Sequence, residues 1–91
     1  DQALERGVIV HARATTAIGL AESRIADALR EIQNASAGVG IGSYPIDGDQ
    51  RGVTVIARSE SAQDAEEAIE RVMSAMRAVG ALPMHGERPG R

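Results

Sequence analysis

Histidine, serine, carboxylate and arginine side chains are what this sequence offers for chemistry, and their spacing limits its use. His11 and His85 stand far apart, and neither H-x-x-x-H nor H-E-x-x-H occurs. A metal site needs several ligands converging on one point. With no cysteine in the chain, both histidines read as solvent-facing. Ser23, Ser43, Ser59 and Ser61 lack a nucleophile elbow, because in "GIGSYP" Pro45 stands where G-x-S-x-G needs its last glycine. A nucleophilic serine also needs an oriented base, so these hydroxyls read as caps and turn formers. "GVGIG" invites a phosphate-loop reading, but such loops join a strand to a helix N-terminus. Here the glycines follow a helix, and close backbone packing is favoured. Glu22, Asp27, Glu31, Glu66, Glu67 and Glu70 read as wet helix faces, with no carboxylate pair singled out for acid–base work. His11, Arg13 and Arg58, with Arg51 nearby, make a candidate basic patch on the open face of a sheet, where Ile9 and Ile56 add apolar contact. Such a patch suits a small anion or an acidic neighbour.

The elements that would position these groups are few. The 91 residues allow one domain. Apolar residues make up 43% of them but aromatics only 1%, a single Tyr44 with no Phe or Trp. The core must therefore be thin and aliphatic, and a thin core leans on a neighbouring domain or a second copy. The formal net charge of −3, from 13 acidic and 10 basic side chains, lacks the basic excess of nucleic-acid-binding domains. No apolar run approaches a membrane span of about 20 residues, and no signal peptide is visible. The expected location is the cytoplasm.

Residues 1–7 read as a linker, 8–80 as the domain and 81–91 as a flexible tail. In Val8–Ala14, "VIVHARA", Val8, Val10, Ala12 and Ala14 form the apolar side of a half-buried strand, with Ile9, His11 and Arg13 opposite. Leu20–Asn34 reads as a helix with Ile25, Ala28, Leu29 and Ile32 on one stripe, capped by Thr16 or Ser23. Gly38 supplies a left-handed residue near its end. Val39–Tyr44 is a glycine-rich strand that Pro45 ends. "DGDQRG" is hairpin-turn chemistry. Gly52–Arg58 is a third strand with Val53, Val55 and Ala57 inward. Ser61–Val79 is a helix opening on a near capping box, Ser61 with Asp64, and carrying Ala65, Ala68, Ile69, Val72, Met73, Met76 and Val79 on one stripe. The order β-α-β-β-α predicts an α+β fold, a two-layer sandwich. Its three-stranded mixed sheet has both helices on one face, the third strand lying between the first two as in split β-α-β folds.

"AESRIADALREIQ", then "VGIGSYPIDGDQRGVTVIAR", then a helix opening "SAQDAEEAIERV" resembles a known accessory domain. It is similar to the KH-like domain that follows the molybdopterin-binding (MoaB/Mog-like) domain in competence/damage-inducible CinA-type proteins, a segment shared with related proteins including some FAD synthases. Glu22-Ser23 and Gly42-Ser43-Tyr44-Pro45 carry the resemblance most sharply. It implies a non-catalytic domain that links to, and closes over, a nucleotide site (ADP-ribose or FAD-like pyrophosphatase) in the preceding domain. It implies no cofactor here and a divalent metal in that preceding domain. Gly42 to Pro45, with Glu22 and Ser23, are then the ligand or interdomain contact. The expected partners are the preceding domain and further copies of the chain, without nucleic acid or membrane. The G-x-x-G loop with which KH domains clamp RNA is missing. A free-standing module binding small anions or protein is the alternative.

Overall fold

The computed structural model describes residues 9–46 and 51–86. The chain runs β1 (His11–Ile18), a 3₁₀ turn (Glu22–Arg24), α1 (Ala26–Ala35), β2 (Val39–Ile46), β3 (Gly52–Ser59), α2 (Ala62–Ala78) and β4 (Met84–His85). The sheet order is β2-β3-β1-β4. As the split β-α-β pattern anticipated, β3 lies between β1 and β2. Two expectations are corrected. The sheet has four strands, because Met84 and His85 of the presumed tail pair with Thr16 and Thr15. It is also antiparallel in every ladder rather than mixed, since β1 and β2 run the same way without touching. The expected linker at 1–7 and the Asp-Gly turn at 47–50 lie outside the described residues.

α2 follows its sequence pattern closely. The Ser61 hydroxyl accepts from the Asp64 amide at 3.1 Å, the hydrogen bond a capping residue makes to a free N–H of the first turn. Ala65, Ala68, Ile69, Val72, Met73 and Met76 are buried. At the far end Gly80, φ 89°, donates to the Arg77 carbonyl while Ala81 donates to Met76, both at 2.9 Å. That is a Schellman closure, which needs a left-handed residue where Gly80 stands. α1 differs from expectation. Neither Thr16 nor Ser23 caps it: Thr16 is in β1, and Ser23 sits within the 3₁₀ turn. The turn replaces the cap, as Arg24 and Ile25 donate to the Ala21 and Glu22 carbonyls at 3.0 Å.

Ile25, Leu29, Val72, Met73 and Met76 pack onto Ala17, Val39, Val53, Val55 and Ala57 to form the core between helices and sheet. β3, paired on both sides, is buried at every position except Arg58. β1 overturns the expected phase. It starts at His11, runs on through Thr15–Ile18, and turns its odd-numbered residues, Arg13, Thr15 and Ala17, to the helices. Ala17 is fully buried, and Thr15 and Ala17 stand opposite the core residues Val55 and Val53. Ala12 and Ala14 therefore face away from the helices. Thr15 and Thr16 then hold β4 from both sides of the sheet. Thr15 donates to the Met84 carbonyl at 2.7 Å and Thr16 to that of Gly86 at 2.9 Å. With the Thr16 proton so used, Thr54 is the donor in the buried Thr16–Thr54 pair at 2.8 Å.

β2 is an edge strand, and the fold closes its edge. The Gln33 side chain of α1 donates to the Val39 carbonyl and accepts from the Ile41 amide at 2.8 Å, while the Val39 amide donates to Ser36 at 3.1 Å. Odd residues of β2 thus aim their backbone groups outward. Pro45 is odd, so its missing N–H falls on the outer side and no ladder bond is lost, which is why β2 continues through Pro45 to Ile46. Gly52 opens β3 where a Cβ would lie 2.5 Å from the Ala17 carbonyl oxygen; only glycine lets these two strands approach so closely.

Candidate functional site

"GSYP" sits in a strand, so its residues alternate. Gly42 and Tyr44 face away from the helices; Ser43 and Pro45 face toward them. The Ser43 hydroxyl donates to the Glu22 carboxylate in the 3₁₀ turn. Two segments that stood out separately in the sequence are thereby one unit, with Glu22 fastening the turn to β2. Ser23, next to Glu22, is exposed and does not share this bond.

Tyr44 leans back along its own strand onto Gly42. A Cβ added at Gly42 would lie 2.9 Å from the tyrosine hydroxyl oxygen and 3.3 Å from two ring carbons, so any larger residue there displaces the ring. Tyr44 remains 47% exposed. The domain's one aromatic is therefore neither in the core nor a plug over it. It is a surface group with its backbone held by Pro45, by the Thr54 pairing and by the anchored Ser43. Such a side chain offers apolar area and a polar tip at low entropic cost.

The expected basic face does not assemble. Arg58 faces away from the helices, whereas His11 and Arg13 belong to the helix-facing set of β1, and Arg51 lies at the opposite end of β3 from Arg58. Arg13 pairs with Glu66 of α2 at 3.2 Å. Both partners are substantially exposed, so the pair contributes little. The reason for the separation is the phase of β1, one residue from that expected, which moves every side chain to the other face.

Arg13 and Arg58 nonetheless border one open groove of about 1000 Å³ that wraps the outer side of β1. Ala12 and Ala14 form its wall, Glu66, Glu67 and Glu70 of α2 flank it, and His85 closes one end. A smaller polar cavity of about 130 Å³ lies between the end of α1, at Ser36, and Asp64, Glu67 and Arg71 of α2. Neither cavity includes Ser43 or Glu22. Among the described residues no group of three or more His, Cys, Asp or Glu could hold a metal ion, and no helix is long and apolar enough to cross a membrane.

The sequence reading missed Gln33, Thr15, Thr16 and Thr54. A glutamine on a helix carries no sign that it will clamp a strand edge. The β-branched Thr15-Thr16 pair was a usable signal for a strand running past Ala14.

Comparisons with known proteins bear on the fold and on the family. A solution NMR structure of a de novo designed protein with a ferredoxin fold superposes with a TM-score of 0.59 at 13% sequence identity, covering 90% of this chain and 87% of that one. It shares the β-α-β-β-α-β arrangement and supports the fold alone. No curated protein matches. The family described as FAD synthase, middle domain, matches residues 11–83, from the first residue of β1 to the approach to β4. The match covers the 3₁₀ turn, both helices, the "GSYP" strand and Gln33, and the chain belongs to the FAD synthase middle-domain family, as a small accessory domain.

Proposed function

We propose that this domain is a non-catalytic unit of an FAD synthase-type enzyme that docks against a nucleotide-handling domain and closes over its site, with Tyr44 as the contact. The observation that carries the reading is Tyr44 itself, half-exposed yet held over Gly42 beside a serine tied to Glu22. A family named for its place in the middle of FAD synthases supports a role between other domains. The resemblance to CinA-type proteins supplies the finer form, in which the neighbour is a molybdopterin-binding-like domain preceding this one and holds any divalent metal.

In the full-length parent enzyme, Tyr44→Ala should lower kcat/KM by about 10- to 30-fold, the effect of removing a contact worth about 1.4–2 kcal/mol. The stability of the isolated chain should change by less than about 0.5 kcal/mol, as for an ordinary surface position. Unchanged kinetics would overturn the closing role. The alternative, an anion-binding module using His11, Arg13 and Arg58, has less support, because His11 and Arg13 lie on the helix-facing side of the sheet and Arg58 on the other, and only Arg13 and Arg58 border a common groove.

A further inference from the structure

We propose that the outer edge of β1, from His11 to Arg13, docks a second copy of this chain, β1 against β1 in antiparallel fashion about a two-fold axis. This is independent of the role assigned to Tyr44, which lies on the opposite edge strand.

The backbone supplies the first argument. The Gly86 amide donates to the Ala14 carbonyl at 2.8 Å, so Ala14 directs its backbone groups to the outer edge, and Ala12, two residues earlier, does the same. Among the described residues β4 pairs with Thr15 and Thr16, stopping short of Ala12. The Ala12 carbonyl accepts from its neighbour Arg13 at 2.9 Å, an exposed contact that can exchange for a strand partner. An unpaired strand edge is a template for another chain. The two edges of this sheet are treated differently, since Gln33, Ser36 and Pro45 close β2 whereas no comparable side-chain clamp from another element spans Val10–Ala12 among the described residues.

The side chains supply the second argument and select the occupant. Ile9 is 69% exposed and Val10 47%, apolar area placed where β1 begins. The adjoining groove carries both signs, Arg13, Arg58 and Arg71 with Glu66, Glu67 and Glu70. A patch of mixed sign is self-complementary under a two-fold axis, because one copy's arginines can face the other's glutamates. A uniformly acidic or basic partner would meet like charge at half of these positions. A short strand pair with a charged rim belongs at the weak end of specific interfaces, so association should depend on concentration.

Sedimentation equilibrium of the 91-residue chain, between about 10 µM and about 1 mM, tests this. The expected result is a mass rising from 9.5 kDa toward twice that value. Ala12→Pro removes an N–H that points outward, so the β1–β3 ladder survives while the edge is blocked; this variant should remain at the monomer mass. Val10→Lys replaces exposed apolar area at the start of β1 with a charge that would have to lose water on docking, so it should also stay monomeric. Circular dichroism checks that each variant folds, and if Ala12→Pro does not, Val10→Lys decides. A wild-type chain that stays at 9.5 kDa overturns the proposal, whatever other partner takes the edge. A dimer that persists undiminished in the folded variants also overturns it, by placing the interface elsewhere.

Discussion

Replacing Gln33 with alanine tests how the edge of β2 is held. The glutamine amide donates to the Val39 carbonyl and accepts from the Ile41 amide, reproducing with one side chain what a neighbouring strand would supply. Both bonds are partly buried, so water replaces them incompletely. Each contributes about 0.5–1.5 kcal/mol net, which places the loss in Gln33→Ala at about 1–3 kcal/mol. For a domain of this size Tm should fall by roughly 4–8 °C for each kcal/mol. Gln33→Glu dissects the two bonds. Its carboxylate still accepts from Ile41 but faces the Val39 carbonyl with a negative charge. That contact favours the protonated form in the folded state and raises the introduced acid's pKa above its unfolded value of about 4.3. The resulting stabilisation is fully present below the unfolded value and is lost as pH rises through the folded one. The Gln33→Glu deficit relative to wild type should therefore narrow on acidification, while that of Gln33→Ala should not. Urea denaturation at a series of pH values reads both. A Gln33→Ala loss under about 0.5 kcal/mol, the level of an unremarkable surface change, would refute the clamp. So would a Gln33→Glu deficit independent of pH.

Two further predictions follow from contacts described above. Thr16→Val removes the bond to Gly86 and leaves the buried Thr54 hydroxyl without its partner, so it should destabilise by about 1–3 kcal/mol. Hydrogen exchange should show the loss concentrated at Met84–Gly86, and protection there equal to wild type would count against the threonine fastening. Gly42→Ala should push the Tyr44 ring off the strand. Since Tyr44 is the sole aromatic of the chain, its near-ultraviolet circular dichroism reports this directly, and an unchanged spectrum would mean that the ring does not rest there.

The sequence was legible where one local rule acts alone. The stripe from Ala65 to Met76 admits only an amphipathic helix, and Ser61 and Gly80 mark its ends because cap chemistry is local. Val53, Val55 and Ala57 were legible as the inner side of β3 for the same reason, a clean period of two. The order of β1, β3 and β2 followed from the split β-α-β pattern. β1 misled because Ala12 and Ala14, expected on its inner side, face away from the helices. Its buried centre is Thr15, Thr16 and Ala17, and the hydroxyls become acceptable inside only when Thr54, Met84 and Gly86 arrive from 38 to 70 residues away.

The candidate site divides in the same way. "GSYP" and Glu22 were visible as unusual segments, but that Ser43 reaches Glu22 while Tyr44 turns the other way is decided by the alternation of β2 once its register on β3 is set. The proposed patch of His11, Arg13 and Arg58 dissolved on the phase of β1, which no residue within it specifies. Sequence alone thus determined the elements, their ends and the aliphatic character of the core, because propensity, capping and periodicity act over a few residues. Tertiary structure decided the fourth strand, the phase of β1 and the closed edge at Gln33, because each depends on hydrogen bonds between groups that only the folded chain brings together.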